Sequence, residues 1–267
     1  MSKGEEVSLW HSYPGSGEIV KGPPYFKNNL SKITFRDENW TSGKAGTTEE
    51  FKDLKGRVIL KRVWETDVKK LDTYYVYDNL GNLLYVIPHA ATDLQMYKSY
   101  KETDPLFDEY SATGSATYSN VAFPNTASQL TEHTVNYYDD YLFSGASGTA
   151  MQAVGITQTQ QTLSLVTGSK VSRDDGTAPL LTVNYYDDKG QIIQQVSQNH
   201  LGVIDLLTNE YNFTGELTKT TRLHTGKGTA MTTIGTTNIY DHMGRLLSFK
   251  NYVNDPLTEV TLVNNEY

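Results

Sequence analysis

Tyr240-Asp241-His242-Met243-Gly244-Arg245-Leu246 is the stretch that decides how this chain is read. An aspartate at the first position of a type I turn accepts bonds from the backbone ahead of it. A glycine at the fourth position takes the left-handed conformation that other residues resist. The heptapeptide therefore spells a hairpin: a strand ending in tyrosine, a three-residue loop with a bulge at the glycine, and a second strand opening on leucine.

The pattern Tyr-Asp-x-x-Gly-polar-apolar recurs at Tyr77-Asp78 to Gly81-Asn82-Leu83, at Tyr186-Asp187 to Gly190-Gln191-Ile192, and more loosely at Tyr211-Asn212 to Gly215-Glu216-Leu217. Upstream, Asp53-Leu54-Lys55-Gly56-Arg57-Val58 keeps every element except the tyrosine, which Phe51 replaces one position earlier. Glycines 56 and 81 lie 25 residues apart, 190 and 215 also 25, and 215 and 244 lie 29 apart, a supersecondary period. A sixth, degenerate copy opens at Val135-Asn136-Tyr137-Tyr138-Asp139-Asp140, identical to Val183 through Asp188, but Leu142 stands where glycine belongs, so its turn must differ.

The hairpin geometry sets an expected register. Tyr77 faces Leu83, Tyr186 faces Ile192, Tyr211 faces Leu217 and Tyr240 faces Leu246, aromatic-aliphatic pairs of roughly 0.2–1 kcal/mol each. Asp241 then faces Arg245. One step further out, Val76 meets Leu84, Tyr185 meets Ile193 and Ile239 meets Leu247, so both faces carry apolar residues and the pattern alone leaves open which one is interior. A lone hairpin is marginal in water, so the series is expected to pair edge to edge in one long antiparallel sheet. The turn residues Asp53, Gly56, Asp78, Gly81, Asp187, Gly190, Gly215, Asp241 and Gly244, with the aromatics Tyr77, Tyr186, Tyr211 and Tyr240, are the structural candidates.

Composition agrees with an all-β class. The chain has 267 residues, with 19 Tyr, 33 Thr and 21 Gly, residues that suit pleated half-buried surfaces and turns. A net charge of -8 without a basic cluster disfavours nucleic acid, whose backbone is bound by Lys and Arg. No apolar run approaches the roughly 18 residues of a membrane helix, and the first residues lack the apolar stretch of a signal peptide, so the chain is expected to be soluble. With no cysteine, disulfides, thiolate metal sites and cysteine nucleophiles are excluded, while the compartment stays open.

Residues 1–50 are broken by Pro14-Gly15, Gly22-Pro23-Pro24 and Gly43 to Gly46 and are expected to be an irregular segment packing on the first strands. Residues 51–267 form the repeat region, with an irregular insertion at about 89–130. Within it, Thr92-Asp93-Leu94-Gln95 has capping-box spacing and allows one short helix near 92–101. No linker marks a second domain.

Candidate chemistry is sparse. His11, His89, His133, His200, His224 and His242 are scattered, and no pair has the spacing of a zinc helix. The acid pairs Asp139-Asp140, Asp174-Asp175 and Asp187-Asp188 suggest calcium or a two-carboxylate glycosidase site, but adjacent residues on a strand point to opposite faces. Turn chemistry is expected to explain Asp187 and Asp139, and Asp174-Asp175-Gly176 reads as a hairpin tip. Neither a nucleophile elbow nor a phosphate loop occurs; Gly145-Ala146-Ser147-Gly148 is a small-residue loop. No catalytic, cofactor-binding or metal residue is assigned, and no enzyme is expected. Exposed tyrosines can stack on sugars or meet protein partners, but their register favours packing.

The recurring Tyr-Asp-x-x-Gly-Arg-Leu resembles the YD-repeat, or RHS-repeat, family, most strongly from Phe51 onward. Lys52 through Arg62, Tyr77 through Pro88, Val135 through Phe143 and Val183 through Ile193 resemble its large bacterial members. The resemblance implies a strand ribbon spiralling into a hollow β shell, often around a C-terminal toxin or a processed peptide, with no chemistry of its own in most members. It also implies an extracellular or cell-surface location. The chain departs from the family in the short stretch from His89 to His133. Asn265-Glu266-Tyr267 echoes Asn209-Glu210-Tyr211, the lead-in to a repeat, without the turn that follows. The expectation is a shell fragment whose partners are remaining YD-repeat segments or a cargo or toxin polypeptide, with edge-strand self-association. The rival expectation is a cell-surface binding module recognising glycan or a protein through exposed Tyr and Thr.

Overall fold

The computed structural model describes residues 10–12, 19–21, 31–90, 110–111, 117–119, 132–226, 228 and 230–267. The chain divides into two compact units, Met1–Val135 and Asn136–Tyr267. The boundary falls inside a strand rather than in a linker. The helix expected near 92–101 lies outside the described residues.

The first unit contains β1 (Trp10–Ser12), β2 (Ile19–Lys21), β3 (Ser31–Phe35), β4 (Thr48–Lys52), β5 (Val58–Trp64), β6 (Lys70–Tyr77), β7 (Leu83–Ala90), β8 (Tyr110–Ser111) and β9 (Thr117–Tyr118). β3 to β7 pair antiparallel in sequence order, and β1 with β2 and β8 with β9 form two separate small pairs. β10 (Thr134–Asp139) begins in this unit, where Thr134 and Val135 pair with Val86 and Tyr85. Part of the 1–50 segment expected to be irregular is therefore strand: β3 and the start of β4 are sheet members.

The second unit continues with β11 (Thr162–Val171), β12 (Leu180–Tyr186), β13 (Ile192–Gln198), β14 (Ile204–Tyr211), β15 (Leu217–Thr225), β16 (Met231–Tyr240), β17 (Leu246–Val253) and β18 (Val260–Asn264), again antiparallel in sequence order. Short 3-10 turns lie at Thr149–Met151 and Pro256–Thr258. The architecture is all-β, a run of consecutive antiparallel hairpins.

The register at the turns is Tyr77 opposite Leu83, Tyr186 opposite Ile192, Tyr211 opposite Leu217 and Tyr240 opposite Leu246. The next step differs from the sequence-based expectation. Val76 faces Tyr85, Tyr185 faces Gln194 and Ile239 faces Ser248, because the register shifts by one residue beside each tyrosine. The same shift separates Glu210–Lys219 from Tyr211–Leu217, and Phe51–Leu60 from Lys52–Val58. Leu84, Ile193 and Leu247 are thus extra residues of a second bulge, which side-chain alternation alone does not reveal.

That bulge lets neighbouring residues bury together: Leu84 and Tyr85 are both buried, which strict alternation forbids. It also settles which face is interior. In the first unit Phe51, Leu60, Val76, Tyr85 and Ile87 are buried and share a face through the pairs Phe51–Leu60, Leu60–Tyr74, Tyr74–Ile87 and Val76–Tyr85. Tyr118 packs edge-on against Tyr85, centroids 5.5 Å apart. In the second unit Leu181, Val183, Tyr185, Gln194 and Val196 form the equivalent buried face.

Candidate functional site

Five turns share one hydrogen-bond plan. The Asp187 N–H donates to the Gln191 carbonyl and the Gly190 N–H to the Asp187 carbonyl, while Asp187 Oδ1 accepts from the N–H groups of Lys189 and Gln191. Asp53 and Asp241 repeat this plan onto Lys55 and Arg57, and Met243 and Arg245. Asp78 Oδ1 accepts from Gly81 and Asn82, and in the loose copy Asn212 accepts from Glu216. A sixth turn, Asn199-His200-Leu201-Gly202, uses the same plan with asparagine, as Asn212 does, but Gln198 stands where the pattern has tyrosine. Gly190 has φ of 75°, and a Cβ there would meet only the Leu165 methyl carbons at 3.8 and 3.9 Å, an ordinary contact, so backbone conformation rather than crowding sets the requirement. Gly190→Val is expected to lose at least about 1–2 kcal/mol in urea unfolding; a variant as stable as the parent contradicts the turn assignment.

Each repeat tyrosine reaches out of its own hairpin. Tyr77 donates its hydroxyl to the Val58 carbonyl at 2.8 Å, Tyr211 to Ile192 at 3.0 Å and Tyr240 to Leu217 at 3.1 Å. Tyr267 does the same to Leu246 at 3.2 Å and Tyr186 to Val166 at 2.7 Å. Two residues before the tyrosine, Asn184, Asn209, Asn238 and Asn265 donate Nδ2 to those same carbonyls, Val166, Ile192, Leu217 and Leu246, at 2.8–3.0 Å.

The geometry explains the repetition. Backbone pairing between β13 and β14 stops at Gln194–Thr208, and between β15 and β16 at Lys219–Thr237. Ile192 and Leu217 lie two residues beyond those limits, at the start of the second bulge. Their carbonyls face a strand that no longer supplies N–H groups there. The Asn-x-Tyr pair fills both lone pairs of the carbonyl and carries the ladder past its backbone end. In the sequence Asn265-Glu266-Tyr267 echoes Asn209-Glu210-Tyr211, but the hairpin register of the tyrosines points to packing and not to this bond.

The degenerate copy after β10 makes no hairpin. Asp139 takes φ of 73°, and a strap over residues 140–161 crosses the buried face of the second unit before β11 begins. Phe143 is fully buried, stacks on Tyr137 with centroids 4.4 Å apart, and sits on Gly168, where a Cβ would lie 2.2 Å from its ring. Tyr141 stacks on Tyr185, whose hydroxyl donates to the Met151 carbonyl. The Gln194 side chain accepts from the Val154 N–H at 2.8 Å and donates to the Val154 carbonyl at 2.9 Å. The strap is thus held both by buried side chains, Phe143 and Met151 among them, and by hydrogen bonds to its main chain.

Two charged clusters remain. In the first unit, Arg62 donates two bonds to Asp72 at 2.7 and 3.0 Å, Lys70 stands 3.4 Å from it, and Glu49 accepts from Trp64 and Lys32. Burial pushes the Asp72 carboxyl up, yet the bonds and charges of Arg62 and Lys70 outweigh it and hold it below the usual range. In the second unit Asp205 accepts from Arg222, His224 and Asn199. Burial there too opposes the downward pull of these donors, and the net direction is down. Both clusters are satisfied internally. Asp139, Asp174 and Asp187 are separate: Asp187 holds its turn, Asp139 accepts from the Ser164 N–H, and Arg173 to Gly176 closes the tip between β11 and β12. Among the described residues no group of three His, Cys, Asp or Glu could hold a metal ion, and no helix is long and apolar enough to cross a membrane.

No family model matches the chain. Nor does any curated protein. Among solved structures, the chain is similar to the crystal structure of TcdB2-TccC3 without its hypervariable C-terminal region, at 14% identity and a TM-score of 0.27. The match covers 84% of this chain and 11% of that one.

Proposed function

We propose that this chain is a non-enzymatic wall segment of a YD-repeat β shell that encloses or contacts a cargo or toxin polypeptide. The observation that carries the reading is the recurrence of one junction. At five places a tyrosine, in four of them with an asparagine, clasps the carbonyl of a preceding strand in the same way. Such a junction adds hairpin after hairpin without new design, which suits a wall and builds no reactive centre. The buried face of each unit is the side that would carry the interior. β18 is exposed along its length and would pair with a further strand, from another YD-repeat segment or a second copy. An extracellular or cell-surface setting belongs to the same reading.

The test is to sequence the DNA flanking this reading frame. Further in-frame YD repeats, a shell-closing core and a variable C-terminal domain are the expected result. Flanking sequence without any of them overturns the wall reading and favours a free-standing surface module.

A further inference from the structure

Asn-x-Ser/Thr is the acceptor pattern of asparagine-linked glycosylation, and a modified asparagine belongs on an exposed loop. The pattern occurs at Asn29-Leu30-Ser31, Asn39-Trp40-Thr41 and Asn212-Phe213-Thr214. Asn29 lies outside the described residues. The other two read alike in sequence, and their surroundings separate them.

Asn212 and Thr214 are taken up by their own turn. Asn212 Nδ2 donates to the Glu216 carboxylate, and the Thr214 hydroxyl donates to Asn212 Oδ1 at 2.8 Å. Asn212 Oδ1 also accepts from the Glu216 N–H at 2.9 Å, within the turn that joins β14 to β15. Both groups that a transferase must reach are engaged, even though Phe213 between them is 92% exposed.

Asn39 differs at each point. It lies on the loop from β3 to β4, and both it and Thr41 are exposed. Its main chain is held, the N–H donating to Asp37 Oδ1 at 2.9 Å. Trp40 folds back on the loop: the Arg36 guanidinium stands 4.3 Å from its ring centroid, and its Nε1–H donates to the Gly43 carbonyl at 3.2 Å. Among the described residues the Asn39 side-chain amide and the Thr41 hydroxyl have no hydrogen-bond partner.

We propose that Asn39 is the acceptor of an asparagine-linked glycan and that Asn212 is not. The donor is an oligosaccharide carried on a lipid pyrophosphate. Asn39 Nδ2 forms a bond to the anomeric carbon as the anomeric C–O bond breaks; the lipid pyrophosphate leaves, and one amide proton passes to a carboxylate of the transferase. The Thr41 hydroxyl is the group by which the transferase recognises the site. The site goes beyond the wall reading and stands whether or not the chain encloses a cargo.

Incubation of the folded 267-residue chain with a single-subunit oligosaccharyltransferase and a lipid-pyrophosphate-linked oligosaccharide, followed by peptide mass spectrometry, tests it. Glycan on Asn39 is expected, with occupancy of Asn212 lower by about tenfold or more, because Asn212 must first open its turn. Thr41→Ala should abolish transfer to Asn39 and Thr41→Ser should keep it, both with an unchanged thermal midpoint. Glycan absent from Asn39, transfer that survives Thr41→Ala, or Asn212 modified as fully as Asn39 overturns the proposal.

Discussion

Phe143→Ala is expected to lower stability by about 3–5 kcal/mol, read as a fall in the urea midpoint at unchanged slope. Phe143 is fully buried, lies against Gly168 and stacks on Tyr137, so truncation removes a large apolar side chain and leaves a void that the flat sheet beneath cannot close. The reciprocal change, Gly168→Ala, pushes a methyl group to 2.2 Å from the Phe143 ring and should cost about 1–3 kcal/mol by overpacking. The contrast with Gly235 is instructive. The ring above it, Tyr252, is partly exposed and can swing toward solvent, so Gly235→Ala should cost less than Gly168→Ala. If Phe143→Ala loses under about 1 kcal/mol, the strap is not part of the core.

Arg62→Met should be comparably severe, at about 3–5 kcal/mol, because it leaves the Asp72 carboxylate buried without its bidentate partner. Replacing both, Arg62→Met with Asp72→Leu, should recover most of that loss, since the desolvation of both charges disappears with them. The pair also sets a pH dependence. The folded pKa of Asp72 lies below its unfolded value of about 3.9, so its stabilisation is fully present above that pH and is lost as pH falls through the folded pKa. Urea titrations from pH 7 to pH 2 should show a shallower acid loss in the double variant than in the parent. Equal acid slopes would remove Asp72 from the account.

What could be read from the sequence was local. Asp187, Gly190 and their counterparts interact within five residues, so the turn rule alone places them, and the Tyr-to-Leu pairing follows from loop length. The second bulge does not follow from either, because it depends on how the following hairpin docks. Asn209 and Tyr211 clasp Ile192, 17 and 19 residues away, and the sequence shows only that the two residue types recur together. The strap is less legible still: Phe143 finds its place through Gly168, and a phenylalanine in a loop and a glycine in a strand carry no mutual signature. Asn199 is hidden because Gln198 stands where the other turns have tyrosine, although the turn chemistry is kept. The charged cluster around Asp72 spans β3 to β6 and emerges only when four strands are laid in register.

The most direct test of the shared junction is a double-mutant cycle on Asn209 and Tyr211, measured by urea unfolding of Asn209→Ala, Tyr211→Phe and the double variant. Both side chains donate to the Ile192 carbonyl, so each single change should cost about 0.5–1.5 kcal/mol, and the two should couple by about 0.5 kcal/mol or more. Single losses near zero, or losses that simply add, would mean that the shared carbonyl does not hold neighbouring hairpins together.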